Sequence, residues 1–240
     1  MKRTLLIDGD IVVYRYSTTV EREVNWGDDV WSLWSDAKEA KQLILQYIEH
    51  LVEMTEADDL IFCFSDKDNF RKKILPTYKS NRKGKRKPVC YKAVKTWIES
   101  KYTSISIPSL EGDDVMGILA TNESIEGETV IVSEDKDMKT IPCLLWRSAA
   151  LEKITKEDAD YFHLYQTLVG DNTDGYPGLK GVGDKRAKAL LKKPTWDTVV
   201  NAYKKAGQTE QDALVQARVA RILRASDYNE EKQEVILWNP

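Results

Sequence analysis

The chain has 240 residues, of which 42% are hydrophobic, so it is long enough for one large or two modest domains with an apolar core. Its formal net charge is −3, yet residues 69–103 contain 12 Lys or Arg against one acid, Glu99, so the total charge does not exclude a polyanionic ligand. No secretory signal is visible and no apolar run approaches the roughly 20 residues of a membrane helix, which predicts a cytoplasmic protein without membrane contact.

Short apolar strands alternate with helical patterns along most of the chain. Strands are predicted at residues 5–7, 60–64, 104–107, 129–132 and 144–146. Helices are predicted at residues 11–16, 36–55, 89–101 and 110–121, and the pattern stays helical from 156 to 225. The alternation predicts an α/β fold, with a mostly parallel central sheet flanked by helices and a second, helical subdomain. Ligands of such sheets bind beyond the carboxyl ends of the strands.

Aromatic and histidine side chains have structural interpretations first. Trp26, Trp31 and Trp34 could stack on bases, but their spacing on a predicted helix favours core or interface packing. The only histidines, His50 and His163, lie inside helical patterns and are interpreted as core residues. We therefore expect no histidine general base.

Carboxylates follow the predicted strands and recur in two later segments. Hard cations such as Mg²⁺ take carboxylate oxygens, and two ions about 4 Å apart can clamp a displacement at phosphorus. Any one acidic pair has a simpler interpretation, helix capping for Asp113 and Asp114 and an Asx turn for Asp171 and Asp174. Several clusters together indicate a metal site. The candidate ligands are Asp8, Asp66, Glu111, Asp113, Asp114, Asp135, Asp137, Asp171 and Asp174.

Two further segments suit phosphate. Residues 70–88, called the basic segment below, carry cations that are too dense and too short of acidic partners to pack together. Such a segment would neutralise backbone phosphates without reading sequence. A solvated basic face is the alternative. Gly178, Gly181 and Gly183 then open a helix that carries Lys185 and Arg186. Free backbone N–H groups at a helix N-terminus can hold a phosphate.

Four ordered motifs resemble the 5′→3′ exonuclease and flap endonuclease family, from about residue 5 to residue 191. They are Leu6-Ile-Asp-Gly9, Phe70-Arg with Pro76-Thr-Tyr-Lys-Ser-Asn-Arg82, Glu111-Gly-Asp-Asp114, and Asp135-Lys-Asp137 followed by Gly170-Asp-Asn-Thr-Asp174 and the glycine loop. The chain is most similar to the short 5′→3′ exonucleases of podovirus-type bacteriophages. One departure is Glu134, where the family usually has a small residue.

The resemblance implies a resolvase/PIN-like nuclease domain at residues 1–155, with a short helical arch at about 70–102. It implies a helix–three-turn–helix subdomain for duplex binding within residues 156–225. A tail at 226–240 is predicted to return to the sheet.

The resemblance also implies residue roles. Asp8, Asp66, Glu111, Asp113, Asp114 and Asp135 would hold a first Mg²⁺, and Asp137, Asp171 and Asp174 would complete a second; Mn²⁺ would substitute, and K⁺ would bind the glycine loop. Lys79 and Arg82 would act catalytically on the scissile phosphate, and Tyr78 would stack near the reacting nucleotide. The DNA-binding set is Arg71, Lys72, Tyr78, Lys83, Lys85, Arg86, Gly178, Lys180, Gly181, Gly183, Lys185 and Arg186.

The predicted function is a metal-dependent 5′→3′ exonuclease on duplex DNA. It would also cut 5′ flaps and RNA primers in RNA:DNA hybrids, by a two-metal mechanism that leaves 5′-phosphates. We expect a monomer, in the host-cell cytoplasm if it is phage-encoded. One alternative is a haloacid-dehalogenase-type phosphatase, because Asp8-Gly-Asp10 after a strand resembles its nucleophile motif. The other is a non-catalytic DNA-binding module.

Overall fold

The structure, a computed structural model, describes residues 2–82 and 84–240. Its helices are α1 (Gly9–Thr19), α2 (Ala37–Thr55), α3 (Arg71–Ile74), α4 (Tyr91–Lys101), α5 (Gly112–Ala120), α6 (Lys156–Val169), α7 (Asp184–Leu190), α8 (Trp196–Lys205) and α9 (Glu210–Ala220). Its strands are β1 (Arg3–Asp8), β2 (Glu21–Asn25), β3 (Trp31–Ser35), β4 (Asp59–Cys63), β5 (Ser104–Ile105), β6 (Glu128–Val132), β7 (Cys143–Arg147), β8 (Ala150–Ile154), β9 (Tyr228–Asn229) and β10 (Glu234–Val235). Among the described residues, no helix is long and apolar enough to cross a membrane.

Six strands form one central sheet in the order β5-β4-β1-β6-β7-β8. All neighbours in it are parallel except β7 and β8, which are antiparallel. The predicted fold class is therefore confirmed. Because β1, β4 and β6 run side by side in the same direction, the segments that follow Asp8, Cys63 and Val132 leave the sheet at the same edge.

The sheet is covered on both faces, as a parallel sheet requires. Alternate residues of β1 point to opposite sides, so Leu5 and Ile7 pack with α1, α2 and α4, whereas Leu6 packs with α5 and the segment after α9. All three side chains are fully buried. A separate apolar cluster joins α6, α7, α8 and α9, which confirms the helical pattern beyond residue 156. The division into domains stays a prediction.

The tryptophan segment is a β-hairpin and not a helix. Strands β2 and β3 pair around a turn in which Gly27, Asp28 and Asp29 all have left-handed φ angles of 89°, 48° and 59°. Gly and Asp tolerate that conformation better than most residues, which explains the turn. The side chains of Trp26, Trp31 and Trp34 are 70%, 57% and 50% exposed, so they do not belong to the core, and the interface alternative stays a prediction.

The two histidines differ. His163 is buried, and its Nε2 lies 2.8 Å from the carbonyl oxygen of Ala217, so its core role is confirmed. His50 is exposed, because α2 buries the opposite face that carries Ile44 and Leu51.

The C-terminal tail forms its own two-stranded sheet and does not return to the central one. After α9 the chain crosses α5 so closely that a Cβ on Gly117 would lie 2.3 Å from the carbonyl oxygen of Leu223. The tail is thereby held one layer above the sheet, beyond hydrogen-bonding reach of its strands. Arg221 pairs with Asp227 at 2.8 Å and fixes the turn that leads into β9.

Candidate active site

Asp8 ends β1 at the carboxyl edge of the sheet and begins α1 as its N-cap. Its carboxylate accepts hydrogen bonds from the Ile11 N–H and the Ser133 hydroxyl, each at 2.9 Å. Burial, helped by the charges of Asp10 and Asp135, outweighs these two donors and raises the pKa of Asp8 to about 7. Ser133, which the sequence did not single out, also accepts the N–H of Asp135 at 3.1 Å and so aligns two acidic segments.

Asp113 completes a first group of acids with Asp8 and Asp135. Burial raises its pKa well above the usual range, and the charges of Asp8 and Asp135 add to the rise. Asp137 belongs to a second group: burial, then the charge of Asp135, raises its pKa to about 7. Gln166 Nε2 donates to Asp137 at 2.6 Å. Burial is the main cause of each raised pKa, and the charges of neighbouring carboxylates add to it.

Asp171 and Asp174 lie in a turn beside the second group. Asp171 accepts the N–H of Thr173 at 2.7 Å, so the Asx turn is present, and it also binds the ammonium of Lys136 at 2.7 Å. Asp174 pairs with Arg82 at 2.5 Å, and its carbonyl oxygen accepts the N–H of Lys79 at 2.7 Å. The turn is therefore joined directly to the basic segment.

Glu111 lies between that segment and the first acidic group. Tyr78 donates its hydroxyl to Glu111 at 2.7 Å, and Lys79 forms a short ion pair with the same carboxylate. Burial would raise the pKa of Glu111, but the charges of Lys79 and Arg71 outweigh it and lower the pKa to about 2. Tyr78 is only 3% exposed, and its hydroxyl holds Glu111. Its stacking on a nucleotide stays a prediction.

Arg71 and Asp114 form a buried ion pair. Both carboxylate oxygens of Asp114 accept guanidinium N–H groups at 2.7 Å, and they also accept the N–H groups of Glu111 at 3.1 Å and Leu223 at 3.0 Å. Arg71 is 2% and Asp114 0% exposed. The predictions that Arg71 contacts DNA and that Asp114 binds a metal are wrong, because each is saturated inside the protein. Asp114 has the capping role that was its alternative interpretation.

Asp66 follows β4 and accepts the N–H of Ser109 at 2.8 Å, which lowers its pKa. Asp10 receives the N–H of Ser65 at 2.7 Å and the Tyr91 hydroxyl at 3.1 Å, so it shapes the strand end instead of joining the acids. Glu134 accepts the N–H of Ser148 at 3.2 Å in the β7–β8 turn. Its carboxylate is thereby directed to that turn.

The other predicted DNA-binding residues differ in exposure. Those with exposed side chains are Lys72, Lys85, Arg86, Lys180, Lys185 and Arg186, of which Arg86 pairs with Glu21 at 2.5 Å. Gly178 has φ +61°, and its N–H donates to the Gln216 side chain at 2.9 Å. This N–H therefore stabilises the fold and does not bind a phosphate. Gly181 and Gly183 have open space where a Cβ would be. Lys83 lies outside the described residues.

Two lysines lie among these carboxylates. Over residues 2–82 and 84–240, no three acidic, histidine or cysteine side chains are already arranged to chelate one metal. Lys79 lies by Glu111 and, at 3.5 Å, by Asp174, while Lys136 lies by Asp171. The all-oxygen donor set nevertheless fits a hard divalent cation, because such an ion would offset the negative charge of carboxylates that are buried close together.

The fold and this edge of acids define a resolvase-like nuclease domain. Residues 3–160 match the family model described as the 5′-3′ exonuclease, N-terminal resolvase-like domain. The chain belongs to this family of nucleases, which are hydrolases of phosphodiester bonds. Family membership confirms the resemblance and sets aside the phosphatase and the non-catalytic module. The helix–three-turn–helix description stays a prediction.

Relatives match over nearly the whole chain. The exodeoxyribonuclease of Enterobacteria phage T3 is 35% identical and is aligned over 100% of this chain and 93% of its own length. The exonuclease of Escherichia phage T7 is also 35% identical, over 100% of this chain and 94% of its own. The structure of the T5 5′-exonuclease with bound zinc shares the fold with a TM-score of 0.67, at 14% identity over 91% of this chain and 89% of that one.

Proposed function

We propose that this chain is a divalent-metal-dependent 5′→3′ exonuclease that acts on duplex DNA and also cuts 5′ flaps. The observation that carries the proposal is the pair of crowded acidic groups at the sheet edge, joined by Glu111 and Asp174 to the basic segment. The names of the phage T3 and T7 relatives support exonuclease activity, and the first of them supports DNA as the substrate.

We assign a first metal to Asp8, Asp66, Glu111, Asp113 and Asp135, and a second to Asp137, Asp171 and Asp174. Carboxylate oxygens suit Mg²⁺, with Mn²⁺ as a substitute. When bound, two such ions activate water at neutral pH and stabilise the charge that develops at phosphorus. The bound zinc of the T5 structure supports a divalent ion in this fold. A K⁺ ion at the glycine loop rests on the family resemblance alone.

Lys79 and Arg82 supply positive charge beside the acids. In this structure they neutralise Glu111 and Asp174, and Lys79 is largely buried. Burial favours the neutral amine, but the charges of Glu111 and Asp174 outweigh that effect and raise the pKa of Lys79. A phosphate brought between these residues would receive both cations. They would orient it and counter the charge of its non-bridging oxygens.

The exposed cations would bind the duplex through its backbone. Phosphate contacts of this kind fix the position of a duplex without reading its sequence. They also do not depend on the sugar, so the proposal extends to RNA:DNA hybrids and to RNA primers. We propose that the monomer is active, with 5′-phosphate products.

The test is a substitution pair. Asp113→Ala should remove Mg²⁺-dependent cleavage of a 5′-labelled duplex and leave duplex binding intact, because the exposed cations are unchanged. Asp68→Asn, at an exposed acid near Asp66, should cleave like the unmodified protein. Loss of binding together with cleavage in Asp113→Ala would count against the metal assignment, as would full activity of that variant.

A further inference from the structure

A surface cavity of about 320 Å³ is lined on one side by Glu111, Lys79 and Asp66, and so adjoins the first acidic group. It is lined by the segment after β4 and by the start of the basic segment, and no residue of the glycine loop reaches it. Its volume is at the small end of the range of about 300–1,000 Å³ typical of ligand sites, so it is too small for a duplex. It can accept a group of about the size of a nucleotide.

The cavity carries more positive than negative charge. Lys67, Lys72, Lys79 and Arg82 line it against two acids, Asp66 and Glu111. Lys79 and Arg82 are already paired with carboxylates. Within the described part of the chain, Lys67 and Lys72 form no ion pair, although both line the same cavity. Two exposed ammonium groups at one surface cavity are suited to an anion with several oxygens.

Neutral groups at the cavity also suit an anion. The side-chain oxygen Oδ1 of Asn69 accepts the N–H of Arg71 at 2.8 Å, which fixes the side-chain amide and leaves its NH₂ group as a donor. Ser80 adds a hydroxyl to the lining. Charged and neutral donors together match a phosphate monoester, whose oxygens accept several hydrogen bonds.

We propose that this cavity holds the 5′-terminal phosphate, with its nucleotide, of the strand that is to be cut. The inference rests on the proposed function, because it places the terminus next to Glu111 and Lys79, where cleavage is assigned. The cavity has room for one nucleotide beside the acids, whereas the duplex needs an open surface. This division would make the enzyme act at strand ends. Neither Lys67 nor the cavity was singled out from the sequence.

The experiment compares equilibrium binding of two blunt DNA duplexes in EDTA, which prevents cleavage. One duplex carries 5′-phosphates and the other 5′-hydroxyls; a third, with a 5′-hydroxyl flap, reports contacts to internal phosphates. The unmodified protein should bind the 5′-phosphorylated duplex about fivefold more tightly, as two partly exposed ion pairs allow. The double variant Lys67→Ala, Lys72→Ala should bind both blunt duplexes equally. Lys73→Ala, a neighbouring exposed lysine outside the cavity, should keep the fivefold ratio.

Equal binding of the two blunt duplexes by the unmodified protein would overturn the proposal, without any variant. A ratio that survives the double substitution would also overturn it. If the double variant lost the same affinity for both blunt duplexes and for the flap duplex, these lysines would contact internal phosphates, and the terminal site would be rejected. Mg²⁺-dependent cleavage is scored separately on the same preparations. Cleavage without end preference would remove the cavity assignment only, whereas absence of cleavage would remove the proposed function.

Discussion

Replacing Asp8 by Asn tests the electrostatic strain at the sheet edge. Burial raises the pKa of Asp8 from its usual 3.8 to about 7. Each pKa unit corresponds to about 1.4 kcal/mol, so ionising this carboxyl in the folded protein costs at most about 4 kcal/mol. Neighbouring carboxyls share protons, which reduces the cost, and we expect about 1–3 kcal/mol. Asn keeps an oxygen to accept the Ile11 N–H but carries no charge.

The effect of Asp8 on the free energy of unfolding depends on pH, because its pKa is raised in the folded protein. The folded pKa lies above the unfolded one, so the stability contributed by Asp8 is complete below about pH 4 and is lost as the pH rises through about 7. Asp8→Asn should therefore match the unmodified protein near pH 4. Above about pH 7 it should be more stable, with a melting temperature higher by about 3–10 °C.

The assay is thermal unfolding followed by circular dichroism, in EDTA, across this pH range. Asp68→Asn, at an exposed carboxyl, is the control and should match the unmodified protein throughout. Adding Mg²⁺ at high pH should raise the melting temperature of the unmodified protein more than that of Asp8→Asn, because the variant has lost one anionic ligand. A variant that is no more stable above pH 7 would refute the reasoning.

Three further substitutions probe other parts of the site. Arg71→Ala leaves the Asp114 carboxylate buried and unpaired, and should lower the free energy of unfolding by about 3–5 kcal/mol in urea titrations. A loss of DNA affinity at unchanged stability would contradict the structural role. Lys79→Ala should slow turnover at saturating DNA at least about tenfold while duplex affinity changes less, because its cation acts on the reacting phosphate; unchanged turnover would reject that role. Gly178→Ala should destabilise the fold by about 2 kcal/mol or more in thermal melts, since φ is +61° and a Cβ would lie 2.4 Å from the Gly170 nitrogen. An unaffected melting temperature would show that the backbone segments around Gly170 and Gly178 can move apart.

The sheet and its acidic edge could be predicted because both depend on local patterns. Apolar runs such as residues 5–7 and 129–132 alternate with helical periods, and that alternation predicts parallel strands. Parallel strands then place the acids after them at one edge. The charges of Asp8 and Asp135 both raise the pKa of Asp113, so the three carboxylates lie close together.

The buried ion pair could not be predicted from the sequence. Arg71 lies among exposed cations and Asp114 beside two candidate ligands, so each resembles its neighbours in the chain. Their partners are distant in sequence: Arg71 also donates to the carbonyl oxygens of Val219, near the end of α9, and of Arg221, just after it. Arg71 becomes a structural residue only because the basic segment, α5 and the end of α9 pack together.

The hairpin and the position of the tail also could not be predicted from the sequence. The spacing of Trp26, Trp31 and Trp34 resembles a helical face, but the left-handed turn between β2 and β3 decides the structure. Turn conformation competes with periodicity, and here it prevails. The tail was placed by a crossing over Gly117 that only the folded chain reveals. Lys136, which binds Asp171, lies between two recognised acids and could have been suspected from that position.

Cleavage itself is the most direct test of the central proposal. A blunt duplex and a 5′-flap duplex, each labelled at one 5′ end, are incubated with the protein in Mg²⁺ or in EDTA. The account predicts short 5′-labelled products in Mg²⁺ only, and their lengths distinguish exonuclease from flap cleavage. Label that stays intact on both duplexes in Mg²⁺, while the protein still shifts them on a gel, would contradict the assignment of the acidic groups to metal-dependent hydrolysis.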